Sequence, residues 1–185
     1  SAMVVGAAGG IGSALLQLGR RAGLRMIGTV SGEEKADFAR RNGADAVVFY
    51  RREDVVARVL ELTGGEGVGR VYEHAGGEAF VQYVRALGPW GTLVSYNGFS
   101  PQPQGNLDAA MRAHMAVCPS VSRFSFHIYD HDRDGRRALM RTVIDALGRG
   151  EPAPALWPRL PFAEVRRAHE LLASGAALGK IVMTP

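Results

Sequence analysis

Ala7, Gly9 and Gly12, in the run Val4-Val5-Gly6-Ala7-Ala8-Gly9-Gly10-Ile11-Gly12, are the residues whose types and spacing best suit chemistry. That chemistry is the grip of an anion. A glycine-rich turn leading into a helix presents bare backbone amides, and missing side chains let a phosphate come close. The amides of Gly10 and Ile11 are placed to face a diphosphate, and Gly12 lets the helix pack against the strand before it. Ala8, Gly9, Gly10 and Ile11 are therefore expected to cradle a dinucleotide. The spacing G-x-G-x-x-G of such turns is kept, with Ala7 at its first place.

The remaining reactive side chains do not assemble into a comparable pattern. Cys118, the single cysteine, rules out an internal disulfide and a zinc site of several cysteines. It lies in Val117-Cys118-Pro119 and is expected to be a buried or half-buried thiol rather than a nucleophile. His127 and His131 are four apart, a metal-binding spacing on a helix, but they fall at an expected strand end. His169 falls on an expected helix and reads as structural. No nucleophile–base couple and no pair of carboxylates stands out, so no catalytic residue and no metal ligand is assigned.

The cradle needs a strand before it and a helix after it. Met3, Val4 and Val5 form a short apolar run, and Ile11, Leu15, Leu18 and Ala22 recur at helical spacing. A second strand is expected over 25–30, completing a βαβ unit. Helix and strand then alternate: helix 33–41, strand 45–50, helix 54–62, strand 70–75, helix 78–87 and strand 92–96. Such alternation predicts an α/β fold, a doubly wound parallel (Rossmann) sheet of about six strands with helices on both faces.

Residues 97–106, rich in Gly, Pro, Gln and Ser, predict an exposed loop. A helix over 107–115, a sixth strand over 120–129 and an arginine-rich helix over 132–147 follow. Four prolines between 152 and 161 predict a stiff extended linker. An amphipathic helix over 162–174 and a terminal strand over 180–184 end the chain. The expected division is a dinucleotide-binding domain over 1–150 and a linker, helix and strand over 151–185.

The chain has 185 residues, 46% hydrophobic and 22% charged, which suits one domain or one domain with a small appendage. Its net charge of +4 rests on scattered arginines, without interleaved aromatics, so no nucleic-acid partner is expected. No apolar run approaches a membrane span, and no leader-like segment precedes the first strand. A cytoplasmic protein is the expectation.

The end of the second strand selects the cofactor. An enzyme using NAD places a carboxylate there for the ribose 2′-hydroxyl, whereas Thr29-Val30-Ser31 offers none. A 2′-phosphate asks for small or hydroxylated neighbours and a cation, which Ser31 and Lys35 supply. Glu33 and Glu34 stand against this, since a nearby carboxylate repels phosphate. The carboxyl ends of the strands line the crevice of such a sheet, which brings in His74 and Tyr96. Phe124 and Phe126 are expected either to pack in the core, as an aromatic pair on a strand commonly does, or to close over the nicotinamide.

The chain resembles the quinone oxidoreductase branch of the medium-chain dehydrogenase/reductase superfamily. The resemblance is carried by Gly6 to Gly12, Gly28-Thr29-Val30-Ser31-Gly32-Glu33-Glu34-Lys35, Asn42-Gly43-Ala44-Asp45, Thr63-Gly64-Gly65-Glu66-Gly67-Val68, Gly91-Thr92-Leu93-Val94, Ala168-His169-Glu170-Leu171-Leu172 and the stretch from Gly175 to Val182. It implies NADP(H) as cofactor, held by Ser31, Lys35 and Tyr50, and puts His74 where the family often has Ser beside the nicotinamide ribose. It implies hydride transfer to a small-molecule quinone or α,β-unsaturated carbonyl, without zinc. Members also carry an N-terminal GroES-like domain, to which the last helix and strand return. A fragment, an excised domain and a natural truncation would all account for its absence here. The family commonly dimerises through its sixth strand, which points to a homodimer through 122–129. A non-catalytic NADPH-binding or dimerisation module stays open beside the enzyme reading.

Overall fold

The computed structural model describes residues 1–96 and 102–185. Six strands form one parallel sheet: β1 (Ala2–Val4), β2 (Met26–Val30), β3 (Ala46–Phe49), β4 (Val68–Glu73), β5 (Leu87–Ser95) and β6 (Ser120–Arg123). Their order is β3-β2-β1-β4-β5-β6, and every pairing is parallel. The order reverses beside β1, so the carboxyl ends of β1 and β4 diverge into a crevice. This is the expected doubly wound α/β fold.

The period-two alternation of β1 divides the core. Ala2 and Val4 join Leu16, Ala36 and Ala39, from α1 (Gly10–Arg21) and α2 (Glu33–Arg41). Met3 and Val5 join Val55, Val56 and Val59 of α3 (Val55–Leu62), with Phe80 of α4 (Ala79–Gln82). Both strands are buried on both faces: β1 reads as an unbroken apolar run, and β2 departs from one only at Gly28 and the buried Thr29.

Several elements differ from expectation. The face of α1 turned to the sheet is Gly12, Ser13 and Leu16, while Ile11, Leu18 and Ala22 are exposed. Close approach decides this: a β-carbon on Gly12 would stand 2.4 Å from the Gly6 carbonyl oxygen, so the small residues face inward. Helix 78–87 is one short α-turn followed by a 3-10 turn over Tyr83–Ala86, and β5 begins already at Leu87. The sixth strand stops at Arg123. Phe124 donates one more bond to Ser95, at 2.7 Å, and a 3-10 turn over Phe126–Tyr129 then leaves the sheet. Asp54, Asn106 and Asp132 each cap the helix they precede, α3, α5 (Leu107–Ala113) and α6 (Arg133–Gly148). Of the expected loop over 97–106, residues 97–101 lie outside the described residues, and 102–104 run beside Gly77.

The proline-rich stretch is more than a linker. Leu156–Pro161 forms β7, which pairs in parallel with β8 (Lys180–Thr184) across α7 (Val165–Ala173). Its prolines fit because a two-stranded ribbon is all edge, where a missing N–H is tolerated. The unit is tied to the main sheet by Gly179, whose amide donates to the Ala8 carbonyl at 2.7 Å. The Gln17 side chain reads both the amide and carbonyl of Ala153, at 2.8 and 2.9 Å.

Candidate functional site

A cleft of about 680 Å³ opens where β1 and β4 part. Its floor is the turn after β1. Gly6 takes a φ of +66°, a left-handed conformation that favours glycine, and its amide meets the Thr29 hydroxyl at 3.3 Å. The Ala7 amide donates to the Thr29 carbonyl, so the turn is anchored across β2. The chain then enters α1 through Gly9, which is extended and supplies no capping side chain. The first-turn amides of Gly10, Ile11 and Gly12 therefore face the cleft without a side-chain acceptor, the arrangement that binds anions at helix starts.

The end of the cleft by β2 and β3 is bordered by Ser31, Lys35 and Tyr50; the opposite end by His74 and Tyr96. The expected residues Ala8, Gly9, Gly10, Ile11, Ser31, Lys35, Tyr50, His74 and Tyr96 all line this one cavity. Phe124 and Phe126 do not: they are 52% and 64% exposed and lie outside its lining. The early end of β6 turns them away from the crevice.

Two features were not anticipated. The first is the return of the chain over the cleft, where Leu172, Gly179, Lys180 and Ile181 form part of its wall. A β-carbon on Gly10 would lie 3.2 Å from Cε and 3.6 Å from Nζ of Lys180, so this ammonium hangs over the head of α1. The chain has only two lysines, Lys35 and Lys180, and both line the cleft, while no Asp or Glu does. That rarity, against twenty arginines, was a signal available in the sequence.

The second is Glu73, whose carboxylate is buried at the end of β4. It accepts the amides of Ala75 and Gly76 at 2.6 and 2.8 Å, so the turn carrying His74 is held by its own neighbour. The His74 ring lies over Gly6, so a side chain there would have to displace the ring, in addition to adopting the left-handed backbone. Its centroid is 5.6 Å from that of Tyr96. Burial, reinforced by the Glu73 charge, pushes the Tyr83 phenol up to about 12 and raises that of Tyr96 as well. The Tyr96 hydroxyl is buried with no hydrogen-bond partner among the described residues. Neither phenol ionises near neutrality.

His127 does not converge with His131 on a common site; its Nδ1 pairs with Asp130 at 2.8 Å, and its ring stacks on Phe126. Cys118 is exposed rather than buried, because it sits at the left-handed end of the turn over Met115–Val117; no group of three or more His, Cys, Asp or Glu placed to hold a metal occurs among the described residues.

Comparison with known proteins places the chain. The family described as zinc-binding dehydrogenase matches residues 10–145. A quinone oxidoreductase of Pseudomonas aeruginosa is 32% identical over 97% of the chain and 54% of its own length. A 2-haloacrylate reductase of a Burkholderia species is 28% identical over 99% of the chain and 55% of its own length. The structure of Escherichia coli quinone oxidoreductase complexed with NADPH superposes with a TM-score of 0.88 at 28% identity, covering all of the chain and 56% of that protein. The chain thus spans about half the length of the relatives it matches.

Proposed function

The chain belongs to the zinc-binding dehydrogenase family, and from that premise we propose that it is the NADPH-binding half of a reductase acting on a quinone or an α,β-unsaturated carbonyl. The observation that carries this reading is the cleft: open helix amides, both lysines of the chain and no carboxylate. That lining suits a polyanion with two phosphate-bearing ends. Ala8, Gly9, Gly10 and Ile11 would hold the diphosphate on backbone amides, with Lys180 closing from above. Ser31, Lys35 and Tyr50 would hold the 2′-phosphate of the adenosine ribose. His74 and Tyr96 would border the nicotinamide end. The bound dinucleotide supplies the hydride; the protein orients it and keeps water from it.

The family description names zinc, but the donor set does not fit it. With one exposed cysteine and no metal-holding cluster among the described residues, no step is assigned to a metal.

The relatives' greater length supports a second part to the proposal. Residues 1–150 form the dinucleotide-binding unit, and 151–185 would pack against a further domain that walls the substrate. Val143, Ile144 and Leu147 are exposed on α6, and Phe162, Val165 and Leu172 on α7 and the turn before it, apolar side chains that such a neighbour would cover. We also place a homodimer contact along β6 and the turn that follows it, within 122–129, and the protein in the cytoplasm. No helix among the described residues is long and apolar enough to cross a membrane.

A second reading rests on the described residues of the cleft, among which no acid–base couple occurs: the chain holds NADPH without turning it over. Quinone-dependent oxidation of NADPH, followed by its absorbance, separates the two. Turnover above the uncatalysed rate supports the reductase; tight binding with no turnover supports the module.

A further inference from the structure

The ribose end of the cleft carries an electrostatic conflict that the structure resolves. Ser31 and Lys35 border it, yet the helix that positions Lys35 opens on Glu33 and Glu34. A free carboxylate at Glu33, two residues from each of them, would oppose any phosphate held by Lys35. Instead its Oε1 accepts from Nη1 of Arg52 at 3.0 Å. Arg52 stands two residues after Tyr50, on the turn that brings this ring to the cleft. Neither Glu33 nor Arg52 lines the cavity itself.

We infer that Arg52 is a positioning residue for cofactor choice: it draws the Glu33 carboxylate aside and cancels its charge, so that Lys35 meets a 2′-phosphate unopposed. The inference rests on the NADPH reading and deepens it. Apart from Glu34, the other charged groups described around this end are paired or add positive charge. Asp37 pairs with Arg40 at 2.9 Å, Glu53 with the Phe49 amide at 2.5 Å and with Arg58 at 3.6 Å, and Arg51 lies 5.9 Å from the Tyr50 ring centroid. Glu34, exposed on the first turn, is the one acid left without a named partner. Both members of the Glu33–Arg52 pair are largely solvated, so the pair adds little to stability. What it changes is the potential at the phosphate.

The test uses fluorescence titration of the whole chain with NADPH and with NADH at low salt, for wild type, Arg52→Ala, Glu33→Gln and the double variant. Arg52→Ala is expected to weaken NADPH about three- to tenfold while NADH stays within about twofold, with the melting temperature unmoved. Adding Glu33→Gln should return NADPH to within about twofold of wild type, because the charge that Arg52 neutralised is gone. Equal losses for both cofactors, no loss, or a loss that Glu33→Gln fails to rescue overturns the inference while leaving the NADPH reading in place. A wild type that does not prefer NADPH overturns the cofactor reading, and the inference with it.

Discussion

At the scale of single residues, the account turns on two lysines with different duties. Lys35 lines the end of the cleft proposed for the 2′-phosphate, whereas Lys180 hangs over the turn proposed for the diphosphate that both cofactors share. The variants should therefore separate. Lys35→Ala removes a charge-assisted contact to the 2′-phosphate and is expected to cost on the order of 1.5–3 kcal/mol in NADPH affinity, with little change for NADH. Lys180→Ala should weaken NADPH and NADH alike. Parallel titrations of the two variants check this, and a Lys35 loss shared equally by both cofactors would contradict the assignment. Lys35 was legible in sequence because it follows a strand end that lacks an acid. Lys180 was not, because the turn it covers lies 170 residues away in the chain, and only the β7–β8 ribbon brings the two together.

At the scale of elements, local chemistry explains both what was readable and what was not. The βαβ opening, the helix over Glu33–Arg41 and the strand over Lys180–Thr184 follow from periodicity and turn residues, and their bounds agree closely. The packing face of α1 misled, since counting apolar residues selects Ile11, Leu15 and Leu18, while close approach to the Gly6–Ala7 turn demands Gly12 and the buried face continues through Ser13. Likewise, prolines suppressed any strand reading over 156–161, although a two-stranded ribbon tolerates them. The sixth strand carries the clearest consequence. β6 is a four-residue edge, followed by Phe126 and Ile128 at 64% and 74% exposure. Edges of this kind pair with another chain unless something covers them. Sedimentation at tens of micromolar should find a dimer, a concentration at which a modest interface is filled; a clean monomer there would count against the proposed edge contact.

At the scale of the whole molecule, the chain combines a six-stranded parallel sheet with a C-terminal ribbon that returns across its crevice. The Gly179–Ala8 bond and the Gln17–Ala153 pair close that loop without help from another domain. The cleft's floor, both ends and one wall therefore lie within this chain, so cofactor binding is expected of the chain by itself, whatever turnover requires. The decisive measurement is equilibrium titration of the unmodified chain with NADPH and NADH side by side. The account predicts saturable binding of both, with NADPH tighter by about tenfold or more, as a lysine contact to the extra phosphate requires. Equal affinities, or tighter binding of NADH, would contradict it.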